Sequence, residues 1–135
     1  MDAKDIMLGD WLRLRYKHHE TGEEIVKDFQ VTQLRKMTCS TYAWSEEDGN
    51  MGKVENLEPI PLTPEILEKN GNSHNHLWFR IEGCHFSLYK SPDGSYSVEF
   101  FDDLEMCYFE VLTIRFVHEL QHALRLCGID KEIVL

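Results

Sequence analysis

The first half of the chain alternates short β-strand patterns with polar turns, a spacing that suits a small, strongly curved sheet. The clearest pattern runs from residue 11 to 17, where Leu12, Leu14 and Tyr16 alternate with three basic residues. Further strands are predicted at 25–34, 37–44 and 54–57, with an exposed loop at 45–53. Four closely spaced strands predict a small curled β-sheet or an SH3-sized barrel.

A short helix followed by a β-meander is predicted for the second half. Thr63, Pro64 and Glu65 are typical of a helix start, because they supply a capping oxygen, a preset φ angle and a favourable charge. Gly71 can end this helix, and 70–75 reads as a polar loop. Strands are predicted at 77–81, 84–90, 95–101 and 106–111, and the segment 91–94 (Ser-Pro-Asp-Gly) predicts a hairpin turn.

The last long element is a predicted helix over about 114–127. Its apolar stripe consists of Val117, Leu120, Leu124 and Cys127. Thr113 is the predicted cap at its start and Gly128 the predicted end, with a short final strand at 129–135. At 135 residues the chain has the usual size of one domain. The sequence therefore predicts a single α+β domain, 1–135, with a β-rich part at 1–62 and a second part at 63–135.

Net charge and the spacing of the cysteines limit the classes of partner and the cellular compartment that we expect. The chain has 14 basic and 24 acidic residues, and its net charge of −10 disfavours binding to nucleic acid. No apolar run approaches the ~20 residues of a membrane span, and the first residues do not resemble a signal peptide. The four cysteines form no C-x-x-C pair, so they are predicted to be free thiols in a reducing compartment, the cytoplasm.

One motif carries possible chemistry, the sequence His118-Glu119-Leu120-Gln121-His122. Two histidines four residues apart on a helix can bind one Zn²⁺, and the glutamate between them can act as general base toward a metal-bound water. This H-E-x-x-H pentad would make the protein a small zinc-dependent hydrolase or peptidase, with His118 and His122 as metal ligands and Glu119 as the catalytic base.

A third ligand is harder to find. Downstream of the pentad, the candidate ligands are Asp130 and Glu132 alone. Upstream, His85 and Glu110 stand at spacings that no metal motif uses. In the competing interpretation, the histidines form the polar flank of an amphipathic helix and no metal or cofactor is bound. The leading hypothesis is accordingly a non-catalytic accessory or interaction protein, with a protein as its possible partner and no committed site residue. The zinc hydrolase is the alternative.

Three stretches occur in this order along the chain: Leu8-Gly9-Asp10-Trp11, then Glu58-Pro59-Ile60-Pro61-Leu62-Thr63 with Glu65-Ile66-Leu67, and finally Val117-His118-Glu119-Leu120-Gln121. Together they resemble a group of small proteins carried by gut Bacteroidetes and their phages. The resemblance implies a phage or mobile-element origin and brings no established activity with it. It also implies that the second histidine of the pentad is often replaced, for instance by asparagine, which would make the role of the motif structural.

Overall fold

The structure, a computed structural model, describes residues 1–70, 76–81, 84–102 and 107–135. The chain divides into two compact units, Met1–Ile60 and Pro61–Leu135. Both contain antiparallel sheets, and the second also contains the α-helices, so the predicted α+β class is confirmed.

The first unit consists of six short strands in two antiparallel sheets, with strand orders β2-β1-β6 and β3-β4-β5. The strands are β1 (Trp11–Lys17), β2 (Glu24–Gln30), β3 (Gln33–Lys36), β4 (Thr41–Trp44), β5 (Met51–Lys53) and β6 (Leu57–Pro59). Short 3₁₀ helices occupy Ala3–Asp5 and Val54–Asn56.

The chain passes between these two sheets twice. The strand predicted at 25–34 is in fact two strands, because the chain changes sheets at Val31 and Thr32. Val31 N donates to Asp10 O (2.9 Å) beside the first sheet, and Thr32 N donates to Trp44 O (2.8 Å) in the second. The second passage is the 3₁₀ helix Val54–Asn56, between β5 and β6.

Other boundary predictions in this region are also wrong, and the strand predicted at 37–44 is shortened to β4, which begins at Thr41. The strand predicted at 54–57 is mostly the 3₁₀ helix, and β5 lies inside the segment predicted as a loop at 45–53. The physical reason is the turn before β5, where Gly49 has a φ of +64°. This left-handed conformation turns the chain sharply enough for Met51 to pair with Trp44 in β4.

The core of the first unit is formed by buried side chains from most of its elements: Ile6, Leu12, Phe29, Val31, Ala43, Val54 and Leu57. Gly52 lets β5 approach this core closely. A Cβ atom at residue 52 would lie 2.6 Å from Leu57 Cδ2 and 3.1 Å from Leu14 Cδ1. The missing side chain of Gly52 leaves the space in which Leu57 and Leu14 pack against β5.

The second unit begins with α1 (Pro64–Lys69) and continues into a four-stranded meander with strand order β10-β9-β8-β7. Its strands are β7 (His76–Ile81), β8 (Cys84–Lys90), β9 (Tyr96–Asp102) and β10 (Cys107–Ile114). The predicted hairpin between β8 and β9 is confirmed. Asp93 Oδ1 accepts a hydrogen bond from Ser95 N (3.0 Å), and Gly94 has a φ of +85°.

Both ends of the second unit are held by side-chain hydrogen bonds. Thr63 Oγ1 accepts a bond from Ile66 N (3.4 Å) and caps α1 as predicted. Residues 71–75, where the helix end at Gly71 and the polar loop were predicted, lie outside the described residues. The strand predicted at 129–135 is wrong. The main-chain N–H and C=O of Val134 instead form hydrogen bonds with the side-chain amide of the buried Asn70. This amide takes the place of the neighbouring strand with which a β-strand would pair.

The final helix, α2 (Val117–Leu126), starts three residues later than predicted. Thr113 does not cap it, because this residue still belongs to β10, paired with Ser97. Gly128 (φ +71°) does end it, and Ile129 N donates to Leu124 O (2.9 Å) across the end. Leu120 and Leu124 of the predicted stripe are 0% and 1% exposed.

Candidate functional site

The H-E-x-x-H pentad lies at the very start of α2, and its glutamate caps the helix. Glu119 Oε2 accepts hydrogen bonds from the main-chain N–H groups of Arg115 (2.7 Å) and Phe116 (3.1 Å). Glu119 is the third residue of the helix, the position from which a glutamate reaches back to the cap residue. Its carboxylate therefore satisfies N–H groups that precede the helix.

The two histidines of the pentad take part in aromatic packing. His118 is 7% exposed, and its ring stacks on Phe116 with the ring centres 6.0 Å apart. The half-buried His122 meets His118 edge to face at 5.6 Å, an ordinary separation for such a pair. The interpretation as a polar helix flank fits His122, whereas His118 is part of the buried face.

The structure does not bring the other candidate ligands to the pentad as a set. Asp130 and Glu132 are exposed, and the ring of His85 lies 6.0 Å from that of Phe101. The side chain of Glu110 lies outside the described part of the structure. Within the residues that the structure describes, no group of three or more His, Cys, Asp or Glu side chains is arranged to hold a metal ion.

Two of the three alternating basic residues of β1, Arg13 and Arg15, are held in ion pairs. Arg13 forms a bidentate pair with Asp28 on β2, with nitrogen–oxygen distances of 2.7 and 2.8 Å. Arg15 lies 3.2 Å from both Glu24 on β2 and Glu58 on β6. Hydrogen bonds to these carboxylates raise the pKa of both guanidinium groups. The largest contribution comes from Asp28 for Arg13 and from Glu24 for Arg15. This face of the sheet is an ion-pair ladder, with little positive charge left over for a phosphate backbone.

A groove opens where the inner face of β1 leaves the core of the first unit. Along this face Leu12 is fully buried, Leu14 is half-buried and Tyr16 is 39% exposed. The groove has a volume of about 520 Å³, within the usual range of ligand pockets. Its lining consists of Leu14, Arg15, Tyr16, Lys27, Gly49, Asn50, Met51, Gly52, Lys53 and Asn56.

The charged groups of this groove all have the same sign. Arg15, Lys27 and Lys53 line it, and none of the described residues in the lining is acidic. Lys53 Nζ is 3.9 Å from Glu55, and Arg15 belongs to the ladder. Lys27 differs from both, because no ion pair within the described residues involves it. Since Lys27 lies opposite Leu14 in the strand register, it faces the groove rather than the ladder.

A second cavity of about 510 Å³ lies between the first residues of the chain and the β3–β4 turn. Its lining mixes Lys36 with Asp2 and Glu55, so it has no single sign of charge. The exposed Cys39 also lines it, and both Cys39 and Cys127 are free thiols. The side chains of Cys84 and Cys107 lie outside the described structure.

The groove residues do not form a recognisable pattern in the sequence, although one signal is present. On the inner face of β2, Lys27 stands between Ile25 and Phe29, where the alternation calls for an apolar residue. A charge at an inward-facing position indicates that the core ends there. The approach of Met51, Asn50 and Asn56 could not be foreseen, since it depends on contacts between segments that are distant in the sequence.

Tyr96, in the second unit, is a buried residue with an unusual polar group. Its side chain is 1% exposed, and its hydroxyl has no hydrogen-bond partner among the described residues. Burial, and secondarily the charge of Glu65, raises the pKa of the Tyr96 phenol above its usual value of 10.0.

The substitution Tyr96→Phe is expected to leave the unfolding free energy at pH 7 unchanged or slightly higher, since it removes a buried, unpaired hydroxyl. In the wild type, a raised phenol pKa means that stability is complete below pH ~10 and decreases as the pH rises through the folded-state pKa. Denaturant titrations at pH 8 and pH 11 should therefore show a smaller alkaline loss in the variant. A loss of more than about 1 kcal/mol at pH 7 would indicate that the hydroxyl has a partner.

A scan against protein-family models found no match, and neither did searches among curated proteins and among solved structures. None of the helices within the described ranges combines the length and the apolar character that a bilayer span needs.

Proposed function

We propose that this is a non-catalytic interaction protein of phage or mobile-element origin, which works in the cytoplasm and binds another protein through the groove of its first unit. The observation that carries this proposal is the position of Glu119. Its carboxylate accepts two main-chain hydrogen bonds at the start of α2, so the only residue with a catalytic role in the alternative hypothesis is occupied as a helix cap.

The groove supports the binding part of the proposal. It combines exposed apolar groups, Tyr16 and Met51, with side-chain amides and a lysine that is free of ion pairs within the described residues. Apolar surface with a few polar groups that fix orientation is the usual composition of a binding site. Nothing in this lining resembles an activated nucleophile or a carboxylate pair.

The three stretches behind the phage resemblance also support a non-catalytic role, since each contains a residue that fixes local structure. Asp10 is fully buried, and its Oδ2 accepts a bond from Met7 N (2.7 Å). Thr63 caps α1 and Glu119 caps α2. A shared sequence pattern of this kind preserves turns and helix starts and does not require a shared active site.

Metal analysis tests this proposal against the zinc hydrolase. The purified protein is expected to contain no stoichiometric zinc by elemental analysis, and a chelator should leave its melting temperature unchanged. If His118 and His122 were ligands, zinc at a thousand times its dissociation constant would stabilise the fold by roughly 4 kcal/mol.

The matched variant is His122→Asn, which would remove one ligand but should hardly alter a half-buried helix flank. We expect the wild type and His122→Asn to melt at nearly the same temperature, with and without added zinc. Near-stoichiometric zinc in the wild type that is lost in His122→Asn would overturn the proposal and establish a metal site.

A further inference from the structure

We infer that the groove of the first unit binds an extended, acidic peptide segment, with Lys27 as the residue that selects its charge. This inference rests on the proposed function, because it names the chemistry of the protein partner. It commits to one occupant, a segment in which carboxylate side chains neighbour an aliphatic or aromatic residue.

The sign of the charge follows from the groove itself. The protein as a whole has a net charge of −10, yet the charged groups in the groove are Arg15, Lys27 and Lys53. Acidic partners of the same molecule already hold Arg15 and approach Lys53, whereas no ion pair within the described residues involves Lys27. A carboxylate on the occupant would give Lys27 the charge-assisted hydrogen bond that the described structure does not provide.

The main-chain groups of the groove wall favour a peptide over a small anion. β5 is an edge strand, paired with β4 on one side only among the described strands, and all of its residues line the groove. The unpaired side of an edge strand can pair with an added extended chain. The amides of Asn50 and Asn56 each offer a donor and an acceptor, the combination that pairs with a peptide bond.

The apolar side chains of the groove are the reason why we expect an aliphatic or aromatic residue in the bound peptide. Tyr16 is 39% exposed and Met51 is 48% exposed, and with Leu14 they give the groove an apolar side. A purely polyanionic ligand would leave this surface in contact with water. Nucleic acid is a poorer fit for a second reason: Arg13 and Arg15, the two arginines of β1, are bound to carboxylates.

Selection from a random peptide library displayed on phage tests the inference directly. The wild-type protein is expected to enrich peptides in which Asp or Glu neighbours an aliphatic or aromatic residue. Lys27→Glu should lose these sequences and enrich Lys or Arg instead. The matched control is Lys17→Glu, which makes the same change of charge at an exposed position on the outward face of β1.

The affinity of a selected acidic peptide, measured by fluorescence anisotropy, should decrease about tenfold in Lys27→Met and remain within about twofold in Lys17→Glu. Circular dichroism spectra of all variants should match the wild type, since both lysines are exposed. Enrichment without acidic residues, or equal selection by Lys27→Glu, would overturn the inference, as would tighter binding of a single-stranded oligonucleotide than of the peptide. These results would leave the metal analysis untouched, so failure of the inference remains distinguishable from failure of the proposed non-catalytic role.

Discussion

The substitution Leu120→Ala is expected to lower the free energy of unfolding by about 2–5 kcal/mol, and Leu124→Ala by a similar amount. Both side chains are essentially fully buried, with exposures of 0% and 1%, on the apolar face of α2. Truncation removes the transfer free energy of the lost methyl and methylene groups and leaves a cavity that the surrounding residues fill only in part. The loss is large compared with the roughly 5–15 kcal/mol of total stability typical of a domain.

Urea denaturation followed by circular dichroism measures this loss from the transition midpoint and slope. Leu126→Ala is the matched control, because it makes the same chemical change on the same helix at a side chain that is 81% exposed. The control should stay within about 0.5 kcal/mol of the wild type. Equal, small effects of all three substitutions would mean that the stripe of α2 does not pack in a core.

Asn70→Ala is expected to cost about 2–4 kcal/mol, although it removes only one small polar side chain. Asn70 is 5% exposed. Its Nδ2 donates to Ile66 O (2.7 Å) and to Val134 O (2.8 Å), and its Oδ1 accepts from Val134 N (3.0 Å). The substitution breaks all three bonds and leaves main-chain groups at the end of α1 and at Val134 without these partners, which costs more than the bonds themselves contribute.

Hydrogen exchange gives a local measurement of the same effect. The amide of Val134 should be protected in the wild type and should exchange much faster in Asn70→Ala. Asn56→Ala is a suitable control for stability, since Asn56 is exposed and makes no side-chain hydrogen bond within the described structure. Unchanged protection of Val134 would show that the segment after α2 is held by its apolar contacts alone.

The parts of the fold that the sequence predicted correctly depend on local signals. The β8–β9 hairpin is specified by proline and glycine in a four-residue turn, α1 by Thr63 and Pro64, and the end of α2 by Gly128. In each case a residue within a few positions determines the backbone geometry, so no knowledge of distant contacts is needed.

Two of the incorrect predictions, the final strand and the cap of α2, concern positions where a distant residue supplies the partner. The segment 129–135 has strand-like residues, but the amide of Asn70 takes the place of a neighbouring strand. Thr113 is a good capping residue, yet β10 retains it through its pairing with Ser97, and Glu119 caps the helix instead. Competition of this kind is decided by tertiary contacts and is invisible in a single segment of sequence.

The candidate site also combines features that a local sequence pattern reveals with features that depend on other parts of the structure. The pentad was found from its spacing, but its chemistry depends on hydrogen bonds from Arg115 and Phe116 that the spacing does not reveal. The groove was not found at all. Its lining combines β1, β2, β5 and the 3₁₀ helix before β6, so no single segment contains a recognisable pattern.

The capping role of Glu119 has a consequence for how this sequence can change over evolutionary time. In a zinc site, residues 118, 119 and 122 act jointly, so a substitution at one of them removes the metal-dependent activity to which the other two contribute. A helix cap ties Glu119 only to the peptide N–H groups of Arg115 and Phe116, which every non-proline residue provides. Position 122 can then drift among residues that suit a half-buried helix surface while 119 stays Glu or Gln, and position 118 changes only with the neighbours that bury it. Under the proposed function, the pentad therefore imposes three independent constraints on the sequence instead of one joint constraint.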